Sequence, residues 1–161
     1  SGDLDPLVVT YLMKREGLTP DAMDNVLNRE SGWLGISGVS SDLREVLEAA
    51  EAGNARAKLA IDAFVYRAKK YIGAYAAAMG GIDLLVFSGG VGEKSPEIRQ
   101  YICQDLEFLG IFVDKEANFS PEPEKNIAAS KGRVDVLVIP TDEEIIIAKD
   151  TYTLVRGLNC G

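Results

Sequence analysis

The spacing of hydrophobic positions along the chain switches between helical and extended periods, and each switch marks an element. Leu7, Val8, Tyr11 and Leu12 recur on one helical face, and Gly17-Leu18-Thr19-Pro20 interrupts the run before a second short helix begins near Pro20. Residues 31–40 hold three glycines and three serines, which predicts a loop that opens a helix at about Ser41. The clearest periodicity covers 55–79, where Ile61, Phe64, Val65, Ala68, Tyr71, Ile72, Tyr75, Ala78 and Met79 form one stripe and Gly80-Gly81 supplies the stop. The period then changes. Asp83-Leu84-Leu85-Val86-Phe87-Ser88 is a continuous apolar run of the kind buried on both faces of a parallel sheet, so it predicts a central strand. A glycine loop over 88–94 follows, and then a helix from Pro96 to about Leu109 with Ser95 at its N-cap. A strand over 111–114, an irregular polar connection over 115–125, a segment 126–130 pairing across Lys131-Gly132, a buried strand 134–139 and a last helix 142–157 complete the α/β arrangement.

Composition narrows the function classes. Of 161 residues, 47% are hydrophobic and 26% charged, enough apolar surface for a real core. The 25 acidic and 17 basic side chains give a net charge of −8, which repels a phosphate backbone and argues against nucleic-acid binding. The opening Ser1-Gly2-Asp3-Leu4-Asp5-Pro6 is acidic where a signal peptide is basic, and no run approaches the ~18 apolar residues of a membrane span. Cys103 and Cys160 are far apart with no CxxC pair, and histidine is absent. A zinc site, a disulfide framework and a histidine-based hydrolase triad are therefore not expected, and a soluble cytoplasmic protein is.

Three segments carry candidate chemistry. Glycines 89, 90 and 92 lie between a strand and a helix, where backbone N–H groups approach a phosphate closely. A tight strand-to-helix turn needs glycine as well, so the pattern supports either reading. The Walker pattern fails because Glu93 precedes Lys94-Ser95, whereas a dinucleotide fingerprint is met in part by Gly90, Gly92 and the acid Asp114 about 20 residues on. A dinucleotide-dependent oxidoreductase half therefore stays open, as does a non-catalytic nucleotide-binding or dimerisation module. Ile36 to Glu45 holds a glycine-serine loop followed by Asp42 and Arg44, suited either to capping a helix or to gripping ribose hydroxyls and a purine. Asp142-Glu143-Glu144 at a strand-to-helix junction suits a helix first turn or a Mg²⁺ ion.

Taken in order, Ser1-Gly2-Asp3-Leu4-Asp5-Pro6, Ile36-Ser37-Gly38-Val39-Ser40-Ser41-Asp42-Leu43-Arg44-Glu45, Phe87-Ser88-Gly89-Gly90-Val91-Gly92-Glu93 and Ile139-Pro140-Thr141-Asp142-Glu143-Glu144 resemble the acetokinase family along essentially the whole chain. The resemblance implies the actin-like ATPase fold built of ribonuclease-H-like domains, with ATP between two lobes and a homodimer formed through the C-terminal lobe. It implies phosphoryl transfer from ATP to acetate, with propionate and butyrate kinases sharing the architecture. By motif, Asp42, Leu43 and Arg44 match the adenosine-contacting Asp-Phe-Arg, and Gly90, Val91, Gly92, Glu93 and Lys94 match the nucleotide loop. Ile98 matches an apolar wall of the adenine pocket, and Glu143 matches the magnesium-linked glutamate. Leu43 stands where Phe is usual and Lys94 where Asn is usual. The resemblance reaches only the last part of the family's length. Residues 1–161 then correspond to the C-terminal nucleotide-binding part, with 142–161 a terminal helix packing toward an N-terminal lobe. The family's catalytic residues fall before Ser1, so none is expected within the chain, and cofactors are ATP or ADP with Mg²⁺.

Overall fold

The computed structural model describes residues 3–158, with residues 143, 157 and 158 described by backbone alone. Ser1, Gly2 and Cys160 lie outside the described residues. The chain forms two compact units, one over Ser1–Tyr71 and one over Ile72–Gly161.

The first unit is helical. α1 (Pro6–Glu16) starts on Asp5, whose carboxylate accepts from the Leu7 N–H, and stops at Gly17 in the left-handed region. α2 (Pro20–Asn25) is capped by Thr19 and continues into a π-helical turn over Val26–Glu30. α3 (Gly32–Ser37) follows, where the glycine and serine content predicts a loop. Low propensity is overridden from outside the segment. The Arg56 guanidinium donates to the Ile36 and Gly35 carbonyls at 2.9 and 3.1 Å, and Trp33 packs on Phe64 with ring centroids 4.9 Å apart. Gly35 is also required sterically, since a Cβ there would lie 2.9 Å from the Glu30 carbonyl oxygen. α4 (Leu43–Glu51) begins two positions after the expected Ser41 start, with Asp42 as its cap. α5 (Ala55–Met79) spans the predicted range, with the unit boundary inside it. Met23, Leu43, Val46, Ala57, Ala60 and Ile61 are the buried apolar side chains of this unit.

The second unit is built on a three-stranded sheet of order β1-β3-β2. β1 (Leu84–Phe87) pairs in parallel with β3 (Asp135–Val138), Leu84 opposite Asp135 and Phe87 opposite Val138. β2 (Lys125–Asn126) pairs antiparallel with the other edge of β3. The central strand is therefore β3 and not the apolar run at 83–88, which forms an edge with Leu84 and Val86 exposed. Continuous apolarity marks a strand but does not decide its place in the sheet. The strand expected over 111–114 reduces to a single bridge, Val113 to Ala128, flanked by the Asp114 N–H to the Ile127 carbonyl and the Ala129 N–H to the Phe112 carbonyl.

Four further expectations in this unit are corrected. The glycine loop is a six-residue helix, α6 (Gly89–Lys94). α7 (Pro96–Cys103) ends well before Leu109, because Gln104 is extended and Asp105 has φ 62°, and a 3₁₀ turn over Glu107–Leu109 follows. Ser95 occupies the N-cap of α7 but makes no side-chain capping bond. The polar stretch after 114 contains α8 (Lys115–Phe119), where the Asp114 carboxylate accepts from the Ala117 N–H. α9 (Glu143–Leu158) closes the described chain. Phe87, Ile98, Ile102, Leu106, Ile111, Ile127, Val134, Val136 and Val138 form the core, with Cys103 among them.

Ile127 is fully buried between the 112–114 segment and β3. Ile127→Ala should destabilise the second unit by about 2–5 kcal/mol, seen as a lower urea midpoint with the slope unchanged; a midpoint within error of the parent would show that this position is not core.

Candidate functional site

In the first unit the Ile36 to Glu45 segment is a sequence of local turns. Ser37 Oγ accepts from the Val39 N–H and Ser40 Oγ from the Asp42 N–H, both at 3.0 Å. Asp42 Oδ1 accepts from the Arg44 backbone N–H at 2.8 Å and from Arg44 Nε at 3.2 Å, and Oδ2 from Nη2 at 2.6 Å. The Arg44 side-chain bond, followed by its backbone N–H, holds the Asp42 carboxyl down at about 2. Arg44 remains highly exposed, while Leu43 turns into the core. The capping and ion-pair geometry is therefore realised, and it also leaves a fixed guanidinium facing solvent.

In the second unit the parallel register sets β1 and β3 so that they end at the same level, Phe87 beside Val138. The segments after them, 88–94 and 139–144, consequently emerge side by side. Glu93 joins them. Its Oε1 accepts from the Gly89 N–H at 2.8 Å, the Thr141 N–H at 2.8 Å and the Thr141 hydroxyl at 2.9 Å. These bonds, the Thr141 backbone N–H first, keep the Glu93 carboxyl below the ordinary glutamate value. Glu93 thus latches the glycine segment to the end of β3.

The three glycines have different reasons to be there. Gly89 adopts φ 71°, the left-handed region. A Cβ on Gly92 would lie 3.2 Å from the Phe87 carbonyl carbon, so this position packs against the end of β1. Gly90 has neither constraint: its φ is outside the left-handed region, and a Cβ there meets no atom within 4 Å. It is exposed, as is Lys94, while Val91 is half-buried. Ile98, on α7, is buried in the core. Asp114, the acid of the dinucleotide pattern, is occupied in capping α8.

Asp142 Oδ1 caps α9 through the Ile145 N–H at 3.1 Å. Glu143 is the first residue of α9, and its side chain lies outside those described. Among the described residues no group of three or more Cys, Asp or Glu side chains gathers as a preformed metal cage. The donor set at this junction suits Mg²⁺, which takes one or two carboxylates and fills its shell with water and phosphate oxygens.

Sequence reading overlooked Arg99. Its side chain is buried, 1% exposed, and it donates from Nη1 to the Gly92 and Glu93 carbonyls, each at 2.8 Å. Nε donates to Asn118 Oδ1 at 2.8 Å and Nη2 to the Asn118 carbonyl at 2.7 Å. One signal was available in the sequence: an arginine three residues after Pro96, on the same helical face as the apolar Ile102 and Cys103.

The architecture is that of small-carboxylate kinases. It matches a Porphyromonas gingivalis acetate kinase structure with TM-score 0.84 and 51% identity, over 96% of this chain and 39% of that one. A Francisella tularensis propionate kinase structure matches with TM-score 0.81 and 37% identity, over 92% of this chain and 38% of that one. In sequence the chain is 52% identical to the acetate kinase of Thermoanaerobacter pseudethanolicus, over 98% of this chain and 40% of the relative. It is 55% identical to that of Dictyoglomus turgidum over 96% and 38% respectively. The acetokinase family pattern matches residues 1–149, and the chain belongs to that family, with the actin-like ATPase fold of its structural neighbours. It spans about two-fifths of the length of these relatives. No helix among the described residues is long and apolar enough to cross a membrane.

The latch gives a titration test. A carboxyl held below its ordinary value stabilises the folded form above that value and loses the contribution as pH falls through the lowered one. Protection of the Gly89 and Thr141 amides from exchange should therefore be full near neutrality and weaken in acid, below the ordinary glutamate range. Thr141→Val, which deletes the hydroxyl donor, should raise the Glu93 carboxyl toward its ordinary value in an NMR titration; an unmoved titration would mean that the latch is not formed.

Proposed function

We propose that the chain is the C-terminal nucleotide-binding part of an acetate kinase, which transfers the γ-phosphoryl group of ATP to acetate. The observation that carries the reading is Gly90, a glycine that neither backbone conformation nor internal packing demands, on the exposed side of a segment clamped after a parallel strand. The open space a side chain would take there is the space a phosphate needs to approach the backbone. Family membership supports ATP or ADP as the ligand, and by motif Gly90, Val91, Gly92, Glu93 and Lys94 would lie along its phosphates. Glu93, whose carboxylate would repel phosphate, acts through its latch to Thr141. By motif, Asp42, Leu43 and Arg44 would contact adenosine and Ile98 would correspond to an apolar wall of the adenine pocket; Leu43 and Ile98 are both buried.

Glu143 would hold Mg²⁺, which when bound neutralises phosphate charge. Catalytic groups come from parts of the family's length beyond this chain, so the 161 residues alone transfer phosphoryl groups negligibly. The remaining parts of the reading are a cytoplasmic homodimer joined through this lobe and α9 packing toward the N-terminal lobe. Identities of 52–55% to two acetate kinases support acetate as the acceptor.

Thermal shift separates this reading from its rivals. ADP with Mg²⁺ should raise the melting temperature and NAD should not; a response to NAD alone would support a dinucleotide enzyme, and no response to either a non-catalytic module. Gly90→Val should leave the fold intact, since its side chain enters open space, and should abolish the ADP response; unchanged ADP affinity would remove this segment from the site. A hydroxamate assay should find turnover at least about tenfold below a full-length acetate kinase, and comparable turnover would refute the assignment of catalysis to residues outside the chain.

A further inference from the structure

We infer that Arg99 is a positioning residue for the nucleotide segment: its buried guanidinium fixes the C-terminal end of α6 against α8, so that the exposed backbone around Gly90 is held in the conformation a phosphate meets. This rests on the nucleotide reading of α6 given above.

The argument begins with what burial of an arginine costs. A guanidinium withdrawn from water needs its donors satisfied, and a nearby carboxylate is the usual means. Here all four acceptors are neutral amide oxygens: Gly92 and Glu93 carbonyls, the Asn118 carbonyl and the Asn118 side-chain oxygen. Burial correspondingly pushes the Arg99 guanidinium down from its ordinary value. Lys125 Nζ also donates to the Asn118 carbonyl at 3.1 Å, placing a second cation on the same oxygen. Such a cluster is a poor source of stability, and an apolar side chain of similar volume would pack the site with less desolvation. What it provides is geometry. The Nη1 fork takes the carbonyls of two consecutive residues, Gly92 and Glu93, at the end of α6 where helical carbonyls lack partners.

Asn118 is itself oriented. It is fully buried, and its Nδ2 donates to the Pro96 carbonyl at 2.8 Å, which turns Oδ1 toward Arg99 Nε. α6, α7 and α8 are thereby joined at one point. At the other end of α6 the Glu93 carboxylate holds the Gly89 N–H and Thr141. The two devices work from opposite ends of a helix too short to be stable alone. Both leave the exposed side of Gly90 and Lys94 open.

The test uses the 161-residue chain with Arg99→Met, Arg99→Lys and hydrogen exchange resolved by residue. Arg99→Met should speed exchange of the amides at 89–95 by about tenfold or more while β3 stays protected, and should raise the ADP Kd in Mg²⁺ by about tenfold or more. Arg99→Lys, which keeps one charged donor group without the fork, should fall between Met and the parent in both readouts. Exchange at 89–95 unchanged in Arg99→Met would overturn the inference, and so would faster exchange with an unchanged Kd. Loss of protection throughout β3 in both variants would also overturn it, in favour of general packing. Failure of the parent chain to bind ADP would sink the nucleotide reading, and the exchange rates would then still decide whether Arg99 holds α6.

Discussion

The parallel pairing of β1 with β3 is the constraint from which the second unit follows. Parallel strands require a crossover between them, and here the intervening chain supplies α6, α7, α8 and the short antiparallel β2. Because Phe87 lies opposite Val138, both strands release their chains at one level. Two segments 48 residues apart are thereby brought into hydrogen-bond contact, and Glu93 closes on Thr141. A shift of register by one residue would send Val136 and Val138, now fully buried, to the opposite face.

What the register brings together, polar side chains then fix. The Glu93 carboxylate and the Arg99 guanidinium carry opposite charges, yet each satisfies backbone groups of α6, the carboxylate at the N-terminal end and the guanidinium at the C-terminal end. That division accords with the helix dipole, which favours an acceptor where N–H groups are free and a donor where carbonyls are. The result is a short glycine-rich segment whose conformation is imposed by its surroundings. On the proposed nucleotide reading this arrangement favours binding, because backbone held in place beforehand need not be ordered when the ligand arrives.

The first unit solves a similar problem by other means. α3 opens on Gly32 and has Gly35 in its middle, yet it is helical because Arg56 takes the Gly35 and Ile36 carbonyls and Trp33 rests on Phe64. Asp42 is committed to Arg44 in a fork with two side-chain bonds. Asp3 receives Arg67 at 2.7 Å and also the Tyr71 hydroxyl, tying the start of the chain to α5. In each case an arginine supplies the long-range or local anchor, consistent with a planar donor group that reaches several oxygens at once.

Elements with strong local codes were legible in the residues. α5 shows its stripe and its glycine stop, α1 its Asp5 cap and Gly17 end, and the four motifs carry the family in their order. These features depend on neighbours within a few positions, or on motifs whose spacing survives in one dimension. The central place of β3, the helical state of α3 and α6, the early end of α7 and the role of Arg99 were decided only in three dimensions. Apart from the end of α7, each depends on partners 6 to 51 residues away, Arg99 on Glu93 at the near limit and β1 on β3 at the far one. Hydrophobic periodicity records which face of an element is apolar, but not which neighbour covers it or which distant donor completes its hydrogen bonds.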